Sequence, residues 1–175
     1  MAIPAGEVLF LDTNILVAAT DGSRPFHAAA RKLIARGRTA GLHGATSGQV
    51  IREYLVVATR PLSANGLGLS PADALGNIGK MTRHLQFCDE PESVSARLRS
   101  LVGAGEISGK AIHDANIVAT LIEHGIELLA TENPEDFALY PGIGTVRLSE
   151  VEAQLSAADG PPLPRPPVAG ISGER

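Results

Sequence analysis

Two rhythms of apolar and polar positions alternate along this chain. Val8-Leu9-Phe10-Leu11 is an unbroken apolar run. A run without alternation predicts a strand covered on both faces, as in a parallel sheet. It stops at Asp12-Thr13-Asn14, and Ile15-Leu16-Val17-Ala18-Ala19 resumes at once, so a helix is predicted to begin at the polar triplet. The Ala-rich stretch from Phe26 to Arg36 predicts an amphipathic helix, and Gly41–Thr46 a second strand. Thr46-Ser47-Gly48-Gln49 has the form of a capping box ahead of a helix from Val50 to Arg60, which Pro61 ends. Ser70-Pro71 opens a further helix, with Ser as N-cap and Pro in its first turn, running to about Leu85. Gln86-Phe87-Cys88 predicts a short edge strand, followed by helices over 91–102 and 110–124. Ile126–Thr131 and Thr145–Leu148 predict two more strands, with a short helical turn at Asn133-Pro134-Glu135-Asp136 between them. Strands alternating with helices indicate an α/β domain with a mainly parallel sheet. It is expected to occupy residues 1–150, with 151–175 a short extension ending in a disordered tail. Eight of residues 160–175 are Pro or Gly.

Three acids break this pattern. Asp12 stands at the carboxyl end of a buried strand, where open α/β sheets bind ligands. Glu53 lies within the helical stripe Val50, Glu53, Tyr54, Val57, and Asp114 within Ala111, Asp114, Ala115, Val118. A carboxylate facing a core needs a counter-charge, a metal or a proton. Arg52 is adjacent to Glu53 but diverges from it by about 100° around the helix. Converging carboxylates without basic partners suit a hard cation such as Mg²⁺ or Mn²⁺. A fourth position, Asn133 or Asp136, follows the strand ending at Thr131. Thr13 and Thr131 place hydroxyls near the same edge and could hydrogen-bond carboxylates or phosphate, although ordinary turn chemistry is the favoured reading for each.

Charge and composition narrow the classes. The chain carries net charge −4, and residues 1–159 carry −5, so it is not a basic nucleic-acid coat. Aromatics at 3% and the absence of Trp exclude a base-stacking platform. The lone Cys88 fits a reducing compartment. With no membrane-length apolar run, the expectation is a cytoplasmic protein. Arg31, Lys32, Arg36 and Arg38 form the densest basic cluster, readable as phosphate contacts or as a solvated helix face. Gly66-Leu67-Gly68 lacks the third glycine of a dinucleotide fingerprint. His113 adjoins Asp114 but diverges from it on the helix, which favours a surface or packing role over ligation.

Leu11-Asp12-Thr13-Asn14-Ile15-Leu16, the mid-chain Glu53, His113-Asp114-Ala115-Asn116-Ile117-Val118-Ala119 and Ala130-Thr131-Glu132-Asn133-Pro134-Glu135-Asp136-Phe137 together resemble PIN domains. More narrowly they resemble the VapC-type toxins of bacterial toxin–antitoxin pairs. The resemblance spans roughly residues 7–149. It implies a three-layer α/β/α fold and a metal-dependent endoribonuclease, with Asp12, Glu53, Asp114 and Asp136 as catalytic residues. Asp12 and Asp114 would hold Mg²⁺ or Mn²⁺. Glu53 would bind a second metal or orient the attacking water. RNA is the implied substrate and a small VapB-like antitoxin the implied partner, with room for a homodimer. The alternatives are a housekeeping PIN nuclease without antitoxin, a catalytically dead PIN-like binding module, and an aspartate-based phosphotransfer protein. In the last, Asp12 would be the nucleophile and a late Lys would pair the phosphate, but no Lys follows Lys110.

Overall fold

The computed structural model describes residues 3–104 and 107–157, so the expected Pro/Gly-rich tail lies outside the described residues. The strands are β1 (Val8–Leu11), β2 (His43–Ser47), β3 (Gln86–Cys88), β4 (Leu128–Ala130) and β5 (Gly144–Val146). All neighbours are parallel, in the order β3-β2-β1-β4-β5. The run that reads as a doubly covered strand is the sheet's centre. Leu9, Phe10 and Leu11 are wholly buried, and Phe10 stands in register with Ala45 on one side and Leu129 on the other.

The helices are α1 (Thr13–Thr20), α2 (His27–Arg36), α3 (Gly48–Thr59), α4 (Pro71–Thr82), α5 (Glu92–Gly103), α6 (Ala111–Glu123) and α7 (Leu148–Ala157). Helix α1 packs on α2 and α3, α3 on α4, and α2 on α7; α5 packs on α6. The chain steps outward from β1 to β3, then returns across the sheet to β4. Right-handed crossovers therefore put α1–α4 on one face and α5–α6 on the other, the three-layer α/β/α arrangement. The reversal of direction falls between β1 and β4. The carboxyl ends of those two strands flank the crevice in which open sheets of this kind bind ligands.

Several local expectations change in the folded chain. The capping box at 46–49 does not form. Thr46 and Ser47 belong to β2, in register with Phe87 and Cys88, so strand pairing rather than the helix end fixes their side chains. Their hydroxyls are buried and, among the described residues, have no partner. Glu90 takes their place, its carboxylate accepting the Gln49 N–H at 2.6 Å. The helix opened by Ser70 starts as expected, with the Ser70 hydroxyl accepting from the Asp73 N–H at 3.1 Å, but it ends at Thr82. Gly66 and Gly68 belong to a loop folded back on the end of α3. A Cβ on Gly66 would fall 2.1 Å from the Arg60 carbonyl oxygen. This close approach accounts for the glycine at 66.

The last strand ends at Val146, and helix α7 follows where only an extension is expected from sequence. The Glu132 carboxylate accepts the Leu148 N–H at 2.8 Å and starts the helix. Val151 and Leu155 are buried in the core, and Gln154 exchanges two hydrogen bonds of 2.9 Å with the main chain of Ile3. The packed body thus runs across the boundary drawn at residue 150. Among the described residues no helix is long and apolar enough to cross a membrane.

Candidate active site

Asp12 follows β1 and is the N-cap of α1, so the reading as a cap holds. One carboxylate oxygen accepts the Thr13 N–H at 2.6 Å. The other accepts the Asn14 amide at 2.7 Å and the Thr131 hydroxyl at 2.7 Å. Thr131 follows β4, so this bond crosses the strand reversal. The Thr131 hydroxyl also accepts from the Asn133 N–H at 3.1 Å, and Asn14 accepts from the Glu132 N–H at 3.2 Å. Asn133 thus serves through its main chain, with its side chain exposed. Three donors favour the Asp12 carboxylate, yet burial outweighs them. Its pKa is pushed up to about 6 by burial, against the Thr131 and Thr13 hydrogen bonds, with the Glu53 and Asp114 charges adding to the rise.

Glu53, on α3, points to the same end of the sheet. It accepts the Thr13 hydroxyl at 2.9 Å and the Gln49 amide at 2.7 Å. Among the described residues it has no basic partner except His113, whose Nδ1 lies 3.6 Å away. Arg52 turns outward to Glu90 at 3.3 Å, as the angular argument requires. His113 therefore departs from expectation: its side chain is exposed, but it lines the cleft and faces Glu53. Divergence from Asp114 along α6 leaves it directed at α3, a contact that helix geometry within α6 does not reveal.

Gln49 joins these elements. Its amide donates both to Glu53 and to the His113 carbonyl oxygen at 2.9 Å, while its own carbonyl accepts the Asn116 amide at 2.6 Å. Only 4% of Gln49 is exposed. One buried side chain thus fixes α3 against the first turns of α6 and sets Glu53 relative to Asp114.

Asp114, in the first turn of α6, and Asp136, in the turn Pro134–Phe137, complete the acidic wall. Neither side chain has a hydrogen bond or ion pair among the described residues. The Asp114 carboxyl is held above its ordinary pKa by partial burial, then by the charges of Asp136 and Glu53, with His113 opposing. Asp114 in turn adds to the burial that raises the Tyr140 phenol. The cleft in front of these residues, about 780 Å³, is lined by Thr13, Glu53, Asp114 and Asp136 and, among other residues, by Arg52, Arg60 and Lys110. Asp12 lies behind this wall.

The donor set is all oxygen, net negative and short of counter-charge, which fits a hard divalent cation. Among the described residues no three His, Cys, Asp or Glu side chains close around a single metal position. Such an open site suits an ion that keeps several of its waters and takes one or two carboxylates, as Mg²⁺ does.

The PIN domain family model matches residues 9–142. The chain is 29% identical over 134 residues to Ribonuclease VapC48 of Mycobacterium tuberculosis, a match covering 75% of this chain and 91% of that protein. Its fold is shared with VapBC2 from Rickettsia felis, crystallised bound to a DNA fragment from their promoter. The TM-score is 0.58 at 17% identity, covering 80% of this chain and 98% of that one. It is likewise shared with VapC20 of Mycobacterium tuberculosis, described as a Sarcin-Ricin loop cleaving toxin. There the TM-score is 0.57 at 14% identity, covering 75% and 95%. A family model spanning most of the packed body, and an acid from each of four segments gathered at one sheet edge, agree that the chain belongs to the PIN domain family.

Proposed function

We propose that the protein is a divalent-metal-dependent endoribonuclease, acting in the cytoplasm as the toxin of a toxin–antitoxin pair. The observation that carries this reading is the convergence of Asp12, Glu53, Asp114 and Asp136 at the strand reversal, where among the described residues no Lys or Arg is paired with any of them and only His113 approaches Glu53. VapC48 and VapC20, which share its family or fold, are a ribonuclease and a Sarcin-Ricin loop cleaving toxin. VapBC2 is a complex bound to promoter DNA.

Asp12 and Asp114 would hold Mg²⁺ or Mn²⁺, with Asp136 beside Asp114. When bound, the metal would acidify a water and stabilise charge on the scissile phosphate. Asp12 contributes through rigidity. Three hydrogen bonds fix its carboxylate before any ligand arrives, so little ordering remains to be done on binding. Glu53, held by Gln49 and Thr13, is positioned to orient the attacking water and accept its proton. Arg60 and Lys110, which also line the cleft, would receive the phosphates flanking the cut. A small antitoxin would cover the carboxylates with a basic segment, drawn by the acidic body. The half-exposed Val56 and Ile112 at the rim supply apolar contact. Burial and triple hydrogen bonding make Asp12 a poor nucleophile, which disfavours the phosphotransfer alternative.

The test is incubation of the purified protein with folded RNAs, with chelator and after restoring Mg²⁺ or Mn²⁺. Cleavage is expected only with metal, and cleavage that survives complete chelation overturns the metal mechanism. Expression of the chain alone from a strong promoter is expected to arrest growth. Unaffected growth overturns the toxin reading.

A further inference from the structure

The basic cluster at 31–38 does not serve the cleft. Arg31, on α2, lines a depression of about 520 Å³ between α1, α2 and α4, together with His27, Lys80 and His84. Arg38 lines a smaller one of about 270 Å³ with His43, Arg83 and the same His84. The shared His84 makes the two depressions one strip. Neither is lined by any Asp or Glu. The side chains of Arg31, Arg38, Lys80 and Arg83 are exposed and have no hydrogen bond or ion pair among the described residues, whereas Arg24, Arg52, Arg97 and Arg147 are each paired with a carboxylate. In a body of net charge −5, four unpaired cations converge on one acid-free strip.

We propose that this strip is a second phosphate-binding surface, which holds the backbone of the RNA substrate away from the cleft. The inference rests on the reading of the protein as a ribonuclease. The carboxylate wall repels phosphate until a metal neutralises it, so affinity for a polyanion must come largely from elsewhere. Contacts from exposed guanidinium and ammonium groups to phosphate position a strand without reading its sequence. Among the described residues only two aromatic rings are exposed, Phe26 and Phe87, too few to carry a strand by stacking instead. Location sets the length of RNA required. Asp12 starts α1 and Thr20, which lines the strip, ends it, a rise of about 12 Å along the helix. Beyond that, Arg38 and His43 lie at the amino-terminal edge of β2, the far end of the sheet from the cleft. A strand seated in the cleft reaches the strip only by extending several nucleotides around the side of the domain. Long or folded RNA therefore gains from the strip, and a short oligonucleotide does not.

The test is fluorescence anisotropy of a labelled RNA of about forty nucleotides binding the full chain in chelator, over a range of salt, for wild type and for Arg31→Ala/Lys80→Ala/Arg83→Ala. All three positions are exposed, so an unchanged melting temperature confirms that the variant folds. Loss of three phosphate contacts is expected to reduce the slope of log affinity against log salt by about 2, and affinity at 0.1 M salt by about tenfold or more. With metal present, the variant is expected to show a raised KM on the long RNA and unchanged cleavage of a short oligonucleotide. Equal affinity and slope for the two proteins overturn the proposal, as does a wild type that binds no RNA. So does a variant that keeps its RNA affinity but loses an acidic protein partner in a pull-down, since the strip is then a protein-docking surface. A wild type that binds through the strip yet cuts nothing sustains the surface and defeats the nuclease reading.

Discussion

The two ends of the acidic site are built differently. At the inner end, Asp12 is buried and every donor around it is spoken for. Glu53 beside it is held by Thr13 and Gln49. At the outer end, Asp114 and Asp136 stand on α6 and a short turn with no hydrogen bond to their side chains among the described residues. The inner pair is stiff because the fold satisfies it; the outer pair is left for something that is not protein. Both ends have carboxyls forced together, and burial is the first cause of the raised pKa at each: at Asp12 the Thr131 and Thr13 hydrogen bonds oppose it, while at Asp114 the charges of Asp136 and Glu53 add to it.

Substitution at the outer end separates function from stability most sharply. Asp114→Asn is expected to lower cleavage roughly a thousandfold while making the metal-free protein more stable by about 1 kcal/mol after solvent screening. Melting curves with chelator and with Mg²⁺ check this, with the wild type rising on adding metal and the variant hardly at all. A destabilised variant that still cleaves would mean that the outer end is structural.

At the inner end the signature is pH. Asp12 moves from an ordinary value of 3.8 to about 6 on folding. Between those values the folded chain holds a proton that the unfolded chain has released, so stability falls as pH rises through this window. The loss attributable to Asp12 is about 3 kcal/mol in the absence of metal. Denaturant titrations of wild type and Asp12→Asn at pH 4 and pH 7 test it: the variant is expected to lose less stability over that interval. Parallel behaviour would mean that the hydrogen bonds, not burial, set the charge of Asp12.

The brace between the two ends gives the smallest effect. Gln49→Leu removes the link from α3 to α6 and leaves the His113 carbonyl and the Asn116 amide without this partner. A loss of about 2 kcal/mol is expected, with slower cleavage and a shifted pH–rate profile as Glu53 loses a donor. Equal destabilisation with an unchanged profile would make Gln49 a packing residue and nothing more.

What the sequence discloses follows the same division. Asp12 is legible because polarity breaks abruptly after an apolar run, and Glu53 and Asp114 because each interrupts a helical stripe. These are local signals. Gln49 and Asn116 are ordinary polar residues until α3 meets α6 across 67 positions, so no local pattern marks them. The same holds for Glu90 capping α3 from 41 positions away, and for His113. Helix α7 escapes notice because Leu148, its first buried position, reads as the end of the preceding strand, which leaves Val151 and Leu155 as its stripe, and its start depends on Glu132. Proximity along the chain groups Arg31 with Arg36 and Arg38, but folding joins Arg31 and Arg38 to Lys80 and Arg83 instead.

The central place of β1 also has a consequence in time. Thr13 meets Glu53 across 40 positions, but Asp12 waits for Thr131 across 119. During synthesis at about 5–20 residues per second, the interval between residues 53 and 131 lasts roughly 4–16 s. Throughout it the growing chain has β1 without its second neighbour, and an aspartate without the hydroxyl that holds it. The site proposed to cut RNA is thus still incomplete while the ribosome making the chain is within reach.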